Sequence, residues 1–349
     1  MNGIILFLSL LLVLWLGRSI LIPLLVATFL WYLINATATY IRKLFPFDSD
    51  ENRKDRPITA KTFDWVSNIL SVLAMCGLIY FFITQIQPMF RELFIALPEL
   101  QHKFVQFSHY ISKSLGLSFD VNMLPNIANI AANVGSSIAG IVTSTGMILV
   151  YMIFLFVEQS TFEKKFSALF PNKTKYKKVR YIIDSIDDNM KKYLFMKTLL
   201  SGITGILSYF WLQTIGVEFA GIWAFIVFIT SYIPTIGAIV ACGLPILYSL
   251  ITTPTLQQPI LTAVGLITLQ IVFGNILEPK LTGKTLNLST LAILINLVFW
   301  GVIWGIAGMF FSVPLLVAIF IITAQFDSTR WIAVLLSADG KIPDKNDDE

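Results

Sequence analysis

Long apolar runs without charge constrain this chain more than any other feature. Residues 291–324 contain no Asp, Glu, Lys or Arg in 34 positions, and residues 259–277 also carry no charge. A helix of about 20 apolar residues crosses the ~30 Å hydrocarbon core of a bilayer, whereas a barrel strand needs only about 10. Only helices and closed barrels satisfy their own backbone in lipid, so runs of this length predict helices. We therefore expect an all-α, polytopic integral membrane protein.

Composition agrees and excludes several classes of protein. Hydrophobic residues make up 56% of the chain and charged residues 13%, with a mean hydropathy of +0.76; soluble domains average about 25% charged residues. Cys76 and Cys242 lie inside apolar runs, so neither a disulfide framework nor a metal site is indicated. The chain has no HExxH, GxGD or GxSxG motif and no nucleotide-binding loop. We expect no enzymatic activity and no cofactor.

The N-terminal part contains two apolar runs, residues 4–16 and 20–40, separated by three residues. This pattern predicts a transmembrane hairpin, and one long, kinked helix is the alternative. The first run has no Lys or Arg before Arg18 and is followed by a second span, which argues against a signal peptide.

Basic residues set the expected topology. Residues 42–61 contain six Lys or Arg, residues 87–128 contain three, and residues 158–197 contain ten. Short cytoplasmic loops collect Lys and Arg, so the first and third segments are predicted to lie inside and the second outside. Spans at residues 65–86 and 130–157 would connect them. The C-terminus is expected to be cytoplasmic.

The external segment carries an apolar stripe at helical spacing. Its members are Phe90, Leu93, Leu97, Leu100, Phe104, Phe107 and Ile111. Such a stripe must be buried, either on the protein's own outer surface or lipid interface, or in a subunit contact of an oligomer. On the predicted cytoplasmic side, residues 181–194 form a second amphipathic pattern, which predicts a helix along anionic headgroups. Membrane spans on both sides argue against nucleic-acid binding by these basic residues, and we expect no nucleic-acid partner.

A polar island, residues 275–288, lies between the two uncharged runs and carries Glu278, Lys280 and Lys284. Pro279 and Gly283 are expected to break the chain there. Residues 219–251 are too long for a single crossing and are interrupted around residues 231–237, and residues 291–324 are interrupted by Gly and Pro. Broken helices of this kind mark substrate sites in transporters, although kinks and close helix packing explain Gly and Pro too. Re-entrant hairpins and full crossings both remain open.

These patterns divide the chain into six parts. They are residues 1–86 (N-terminal spans with a basic loop), 87–128 (external amphipathic segment), 129–157 (span), 158–197 (cytoplasmic basic segment), 198–325 (transport region with broken helices) and 326–349 (cytoplasmic tail).

Four motifs in the last third resemble a known family. They are YIPTIG at residues 232–237, EPKLTGK at 278–284, GVIWGIAGM at 301–309 and VPL at 313–315. Their order and spacing resemble the autoinducer-2 exporter family of bacterial inner-membrane transporters. The resemblance implies about eight hydrophobic segments, a homo-oligomer, and either export of autoinducer-2 or, as in some members, sodium/proton exchange. An acidic residue that many members carry shortly before the proline of the second motif is replaced here by residues 273–275, Phe-Gly-Asn, and a later proline by Ser289 and Thr290.

A transporter needs a polar site near mid-membrane, and broken helices supply one by freeing backbone groups. The candidate pathway residues are Ser231, Tyr232, Pro234, Thr235, Gly237, Gln270, Asn275, Glu278, Pro279, Gly283, Asn296, Gly305, Gly308 and Pro314. Glu278 is the carboxylate that a coupling cation or proton would use. Its alternative role is an interfacial ion pair with Lys280 or Lys284. The rival to an ion-coupled transporter of a small molecule or cation is a passive oligomeric channel or scaffold.

Overall fold

The computed structural model describes residues 2–44, 77, 84, 88–89, 91–96, 98–109, 127–282 and 287–342. Nearly all of these residues are helical, and no β-strand forms among them, which confirms the predicted all-α class. The helices are α1 (Asn2–Leu16), α2 (Arg18–Leu44), α3 (Ile127–Leu169), α4 (Lys173–Thr214), α5 (Ala220–Thr230), α6 (Ile236–Thr252), α7 (Gln257–Leu269), a π-helix (Gln270–Leu277), α8 (Glu278–Thr282), α9 (Thr290–Ala324) and α10 (Arg330–Leu336). Residues 91–96 and 98–109, here called the outer helix, are helical as well.

Within the described residues, four helical stretches are long and apolar enough to cross a membrane. They are Arg18–Thr39, Lys173–Thr214, Gln257–Leu281 and Thr290–Ala324. Length and composition alone define this set, and the last stretch is in fact folded back on itself, as shown below. The predicted span at residues 65–86 lies almost wholly outside the described residues.

The N-terminal hairpin prediction is wrong. Gly17 is the one residue between α1 and α2, and its N–H donates to the carbonyl of Val13 at 2.8 Å while its carbonyl accepts from the N–H of Leu21 at 2.9 Å. Both bonds are the i to i−4 bonds of an α-helix, and an antiparallel pair of helices needs a loop of at least about two residues. α1 and α2 therefore form one long, kinked helix, the alternative that the sequence left open.

The chain separates into two compact units. The first unit comprises Met1–Cys76, Thr145–Thr198 and Glu278–Glu349, and the second comprises Gly77–Ser144 and Leu199–Leu277. The chain passes from one unit to the other inside α3, inside α4 and at the end of the π-helix. Each unit has its own apolar core.

In the first unit, the amphipathic part of α4 packs against protein. Met190, Tyr193 and Leu194 are buried in one cluster with Val313 and Val317 of α9. The prediction that this segment lies along lipid headgroups is therefore wrong at its apolar face. An apolar side chain buries as much surface against α9 as against lipid, and the sequence pattern does not distinguish the two.

In the second unit, the core forms around the helices that follow residue 199. Leu212, Trp223, Val227, Tyr248 and Leu266 are buried together. The outer helix contributes to this core through Leu100. The four described members of the predicted stripe, Leu93, Leu100, Phe104 and Phe107, are half-buried, whereas neighbours such as Glu92, His102 and His109 are exposed. At Leu100 the stripe packs on the protein's own surface.

The polar island is less broken than its sequence suggests. α7, the π-helix and α8 follow one another without interruption from Gln257 to Thr282, so Pro279 lies inside a helix and the predicted break there is wrong. A π-helix shifts the backbone hydrogen bonds by one residue, and such shifts relieve local strain in helices. Gly283 lies outside the described residues.

After α10 the chain returns to the end of the polar island. The N–H of Ala338 donates to the carbonyl of Asn287 and the N–H of Ser289 donates to the carbonyl of Leu336, both at 2.8 Å. The side-chain amide of Asn287 donates to the carboxylate of Asp339 at 2.6 Å, which lowers the pKa of that carboxyl group. The segment predicted as a tail is thus attached to the start of α9.

Candidate functional site

The first overlong run folds into a helical hairpin. α5 has 11 residues and is about 16 Å long, roughly half the hydrocarbon thickness, and it packs against α6. A five-residue turn, Ser231 to Thr235, joins the two helices, and Thr235 has a φ of 60°. The first run is therefore a helical hairpin and not one continuous helix.

A close backbone contact closes this first hairpin. A Cβ atom on Gly237 would lie 1.8 Å from the carbonyl oxygen of Thr230. No side chain fits at that distance, so only glycine lets α6 start this close to the end of α5. Tyr232 is buried next to Phe228, while Thr235 is exposed at the turn.

The second overlong run forms a hairpin in the same way, although α9 is continuous in sequence. Gly305 has a φ of 64° and a ψ of −142°, which reverses the chain direction between two helical arms. The amide of Asn296 donates to the carbonyl of Ser312 at 2.6 Å, and these residues would be about 24 Å apart in a straight helix. The two arms are therefore antiparallel.

Gly308 allows a close backbone contact in the second hairpin, as Gly237 does in the first. A Cβ on Gly308 would lie 1.9 Å from the carbonyl oxygen of Trp300. The carboxamide oxygen of the buried Asn296 accepts a hydrogen bond from the indole N–H of Trp300 at 3.0 Å. The carboxamide of Asn296 thus bonds to the backbone of the opposite arm and to the indole ring of Trp300 on its own arm. Pro314 lies half-buried further along the second arm.

Replacing Asn296 by Leu is expected to destabilise the second hairpin by about 2–4 kcal/mol. The carbonyl of Ser312 and the N–H of Trp300 would both lose a partner in a buried region, and an unsatisfied buried polar group costs about 1–3 kcal/mol. Thermal unfolding of the purified protein in detergent measures the effect. Leu291→Ala, at an exposed position in the same arm, is the matched control; equal melting temperatures for the Asn296→Leu protein and the wild type would contradict the assignment.

Glu278 is paired with a residue that the sequence did not suggest. The ammonium group of Lys197, on α4, lies 2.5 Å from the Oε1 atom of Glu278, and both residues belong to the first unit. The side chain of Lys197 is 7% exposed and that of Glu278 is 25% exposed. Of the two lysines that the sequence offered as partners, Lys280 is exposed and Lys284 lies outside the described residues.

The second unit contains buried polar atoms without a partner among the described residues. They are the hydroxyl groups of Ser201 and Ser208 on α4 and the side-chain nitrogen of Gln270, at the start of the π-helix. Ser201 and Ser208 are 2% and 0% exposed. Unpaired polar groups are costly to bury, so these three atoms are available to water or to a polar ligand. Asn275 is exposed.

The candidate residues therefore belong to two separate sets. Ser231, Tyr232, Pro234, Thr235 and Gly237, together with Gln270 and Asn275, lie in the second unit; Glu278, Pro279, Asn296, Gly305, Gly308 and Pro314 lie in the first. Within each unit, the hairpin residues are brought together as the motifs suggested. Sequence reasoning missed Lys197, Ser201 and Ser208. For Lys197 a signal existed, because it is the cation directly before an uncharged run, residues 198–217.

Long apolar helices combined with two glycine-closed hairpins define an α-helical, multi-pass membrane protein of the kind that carries solutes. Residues 4–327 match the family model described as AI-2E family transporter. The chain belongs to this family, and the resemblance of its four motifs is confirmed.

Curated relatives point to the same class. The chain is 32% identical over 233 residues to the AI-2 transport protein TqsA of Escherichia coli K12, covering 66% of this chain and 63% of that protein. It is 34% identical over 216 residues to a relative from Borreliella burgdorferi, covering 61% of this chain and 58% of that protein. A Haemophilus influenzae relative is 33% identical over 213 residues. The chain thus spans about three-fifths of the length of these relatives, whose names assign them to transport and not to an enzyme class.

Proposed function

We propose that this protein is a secondary transporter that moves a small polar molecule of the autoinducer-2 type by alternating access, coupled to an ion at Glu278. The observation that carries the proposal is the pair of helical hairpins, each closed by a glycine against a carbonyl oxygen. The name of the Escherichia coli relative, AI-2 transport protein TqsA, supports the substrate class. Absence of a nucleotide-binding loop from the sequence favours an ion gradient as the energy source.

The hairpins support this function because each turn brings two helix ends together within one apolar run. Helix ends carry free N–H and carbonyl groups and partial charges, which bind polar solutes and ions in transporters of known type. In the first hairpin, the end of α5 and the start of α6 flank the turn Ser231 to Thr235. In the second hairpin, the two arms of α9 meet at Gly305. Ser201, Ser208 and Gln270 add polar atoms that a passing solute would satisfy.

The charge rule gives the proposed orientation. With residues 158–197 inside, α4 runs outward, the first hairpin begins and ends at the outer surface, and Gln257–Leu281 runs inward. Lys280 and the C-terminus are then cytoplasmic. The location is the bacterial inner membrane, and the assembly is a homo-oligomer. Light scattering of the detergent-solubilised protein tests the oligomer: a mass of one chain would contradict it.

Transport is tested with purified protein in liposomes. Labelled autoinducer-2 is loaded outside against an unlabelled pool inside, and a trapped pH dye follows protons. We expect saturable exchange of label together with proton movement. A flux that does not saturate and does not exchange would favour a passive channel, and no flux with a folded protein would favour a scaffold. Proton movement on addition of sodium or lithium, without uptake of label, would favour cation exchange.

A further inference from the structure

Lys197 is a buried cation whose ammonium group lies against Glu278, the carboxylate to which the proposed function assigns ion coupling. Lys197 follows the basic part of α4 and precedes an uncharged run of 20 residues, 198–217. Lysine near a helix end normally extends its side chain to water. With a side-chain exposure of 7%, Lys197 does not do so and instead reaches a carboxylate 81 positions away in the sequence.

Stability alone is a weak reason for such a pair. The cost of removing two charges from water offsets most of their attraction, so a buried ion pair contributes little compared with apolar residues of similar size. The two residues of the pair also lie at the boundaries of the first unit along the chain. Lys197 is one residue from the point where α4 leaves the first unit, and Glu278 is the residue at which the chain re-enters it.

A carboxylate in a membrane protein is a natural ligand for a monovalent cation, because sodium prefers oxygen atoms. At Glu278 one of these oxygen atoms already accepts a hydrogen bond from Lys197 at 2.5 Å. A sodium ion at the same oxygen would lie within a few ångströms of the largely buried ammonium group, and two positive charges at that distance repel each other. The ammonium group therefore competes directly with sodium.

Resting on the proposed function, we propose that Lys197 is a built-in cation that occupies the sodium position at Glu278, so that this transporter does not bind sodium there. The substitution that removes the ammonium group would then create a sodium site. The converse substitution, which removes the carboxylate, would leave the ammonium group of Lys197 to recruit an anion such as chloride.

The test measures ion binding without transport. Full-length wild type, Lys197→Met, Lys197→Arg and the neutral double variant Lys197→Met/Glu278→Gln are purified in detergent. Melting temperature is measured in sodium chloride and in choline chloride of equal ionic strength, and radioactive sodium binding is measured directly. We expect Lys197→Met to melt at least about 3 °C higher in sodium than in choline and to bind sodium, because a ligand stabilises the state that binds it. Wild type, Lys197→Arg and the double variant should show no difference.

Two results would overturn the proposal: sodium binding by the wild type that is lost in Glu278→Gln, or a folded Lys197→Met protein that binds no sodium. If Lys197→Met does not fold, Glu278→Gln provides the second test. Its melting temperature should rise in sodium chloride relative to sodium gluconate, and an equal melting temperature in the two salts would contradict the proposal. Because none of these measurements requires a substrate, failure of autoinducer-2 exchange in liposomes leaves their outcome intact and is recognised separately.

Discussion

Replacement of Glu278 by Gln is expected to reduce ion-coupled transport to below about a tenth of the wild-type rate. The amide has nearly the same shape as the carboxylate, but it neither carries a proton nor holds the charge of Lys197 at 2.5 Å. The rate of labelled autoinducer-2 exchange and the accompanying proton movement in liposomes measure the effect. An unaltered rate would exclude Glu278 from coupling.

Two controls separate loss of coupling from loss of structure. Lys280→Gln changes an exposed charge two residues away on the same helix and should leave transport unchanged. The double variant Lys197→Met/Glu278→Gln removes both charges, so it should keep the fold without a buried unpaired charge. If the double variant is as stable as the wild type and still inactive, the carboxylate itself is required. Recovery of transport in the double variant would instead show that Glu278→Gln acts through the unpaired Lys197.

Replacement of Gly237 by Ala is expected to destabilise the first hairpin by about 3 kcal/mol and to abolish most transport. The added Cβ would lie 1.8 Å from the carbonyl oxygen of Thr230, and both are backbone positions that cannot rotate away. α6 would have to move away from α5, which opens the core formed by Trp223, Val227 and Tyr248. Thermal unfolding and the exchange assay measure the two effects.

Gly243→Ala is the matched control for this prediction. Gly243 lies on the same helix, and a Cβ at this position would meet no atom within 4 Å. Alanine is favoured over glycine inside helices by about 1 kcal/mol, so this variant should be as stable as the wild type or slightly more stable. If Gly237→Ala and Gly243→Ala melt at the same temperature, the close contact at Thr230 does not constrain the hairpin.

The glycine and proline positions show how much of the fold the sequence could predict. Residues 231–237 were expected to interrupt an overlong run, and the interruption is where α5 ends and α6 begins. The choice between a hairpin and a crossing remained open, because both are compatible with the same break. The structure shows that both runs fold as helical hairpins, closed by the contacts of Gly237 with Thr230 and of Gly308 with Trp300. The predicted break at Pro279 was wrong. A π-helix precedes Pro279, and hydropathy gives no signal for the change of backbone hydrogen bonding in a π-helix.

At the candidate site the sequence identified Glu278 by its charge but not its partner. Lys280 and Lys284 are close in sequence, so local reasoning favoured them, and it did not suggest that Lys197 lies within hydrogen-bonding distance. The sequence also did not predict that the hydroxyl groups of Ser201 and Ser208 are buried without a partner in the described part of the chain. Serine is common in membrane helices, and its hydrogen bonding depends on the neighbouring helix. A hydrogen-bond partner from a distant segment of the chain can be identified only from the tertiary structure.

By itself the sequence determined the all-α membrane class, the family and the interruption of the two overlong apolar runs. These properties depend on local composition: apolar length sets what lipid accepts, and glycine and proline limit the backbone wherever they occur. Only the tertiary structure decided that α1 and α2 form one helix, that α9 folds back at Gly305, and that Lys197 meets Glu278. Each of these depends on which distant surfaces pack together, and an apolar face has the same pattern whether lipid or another helix covers it.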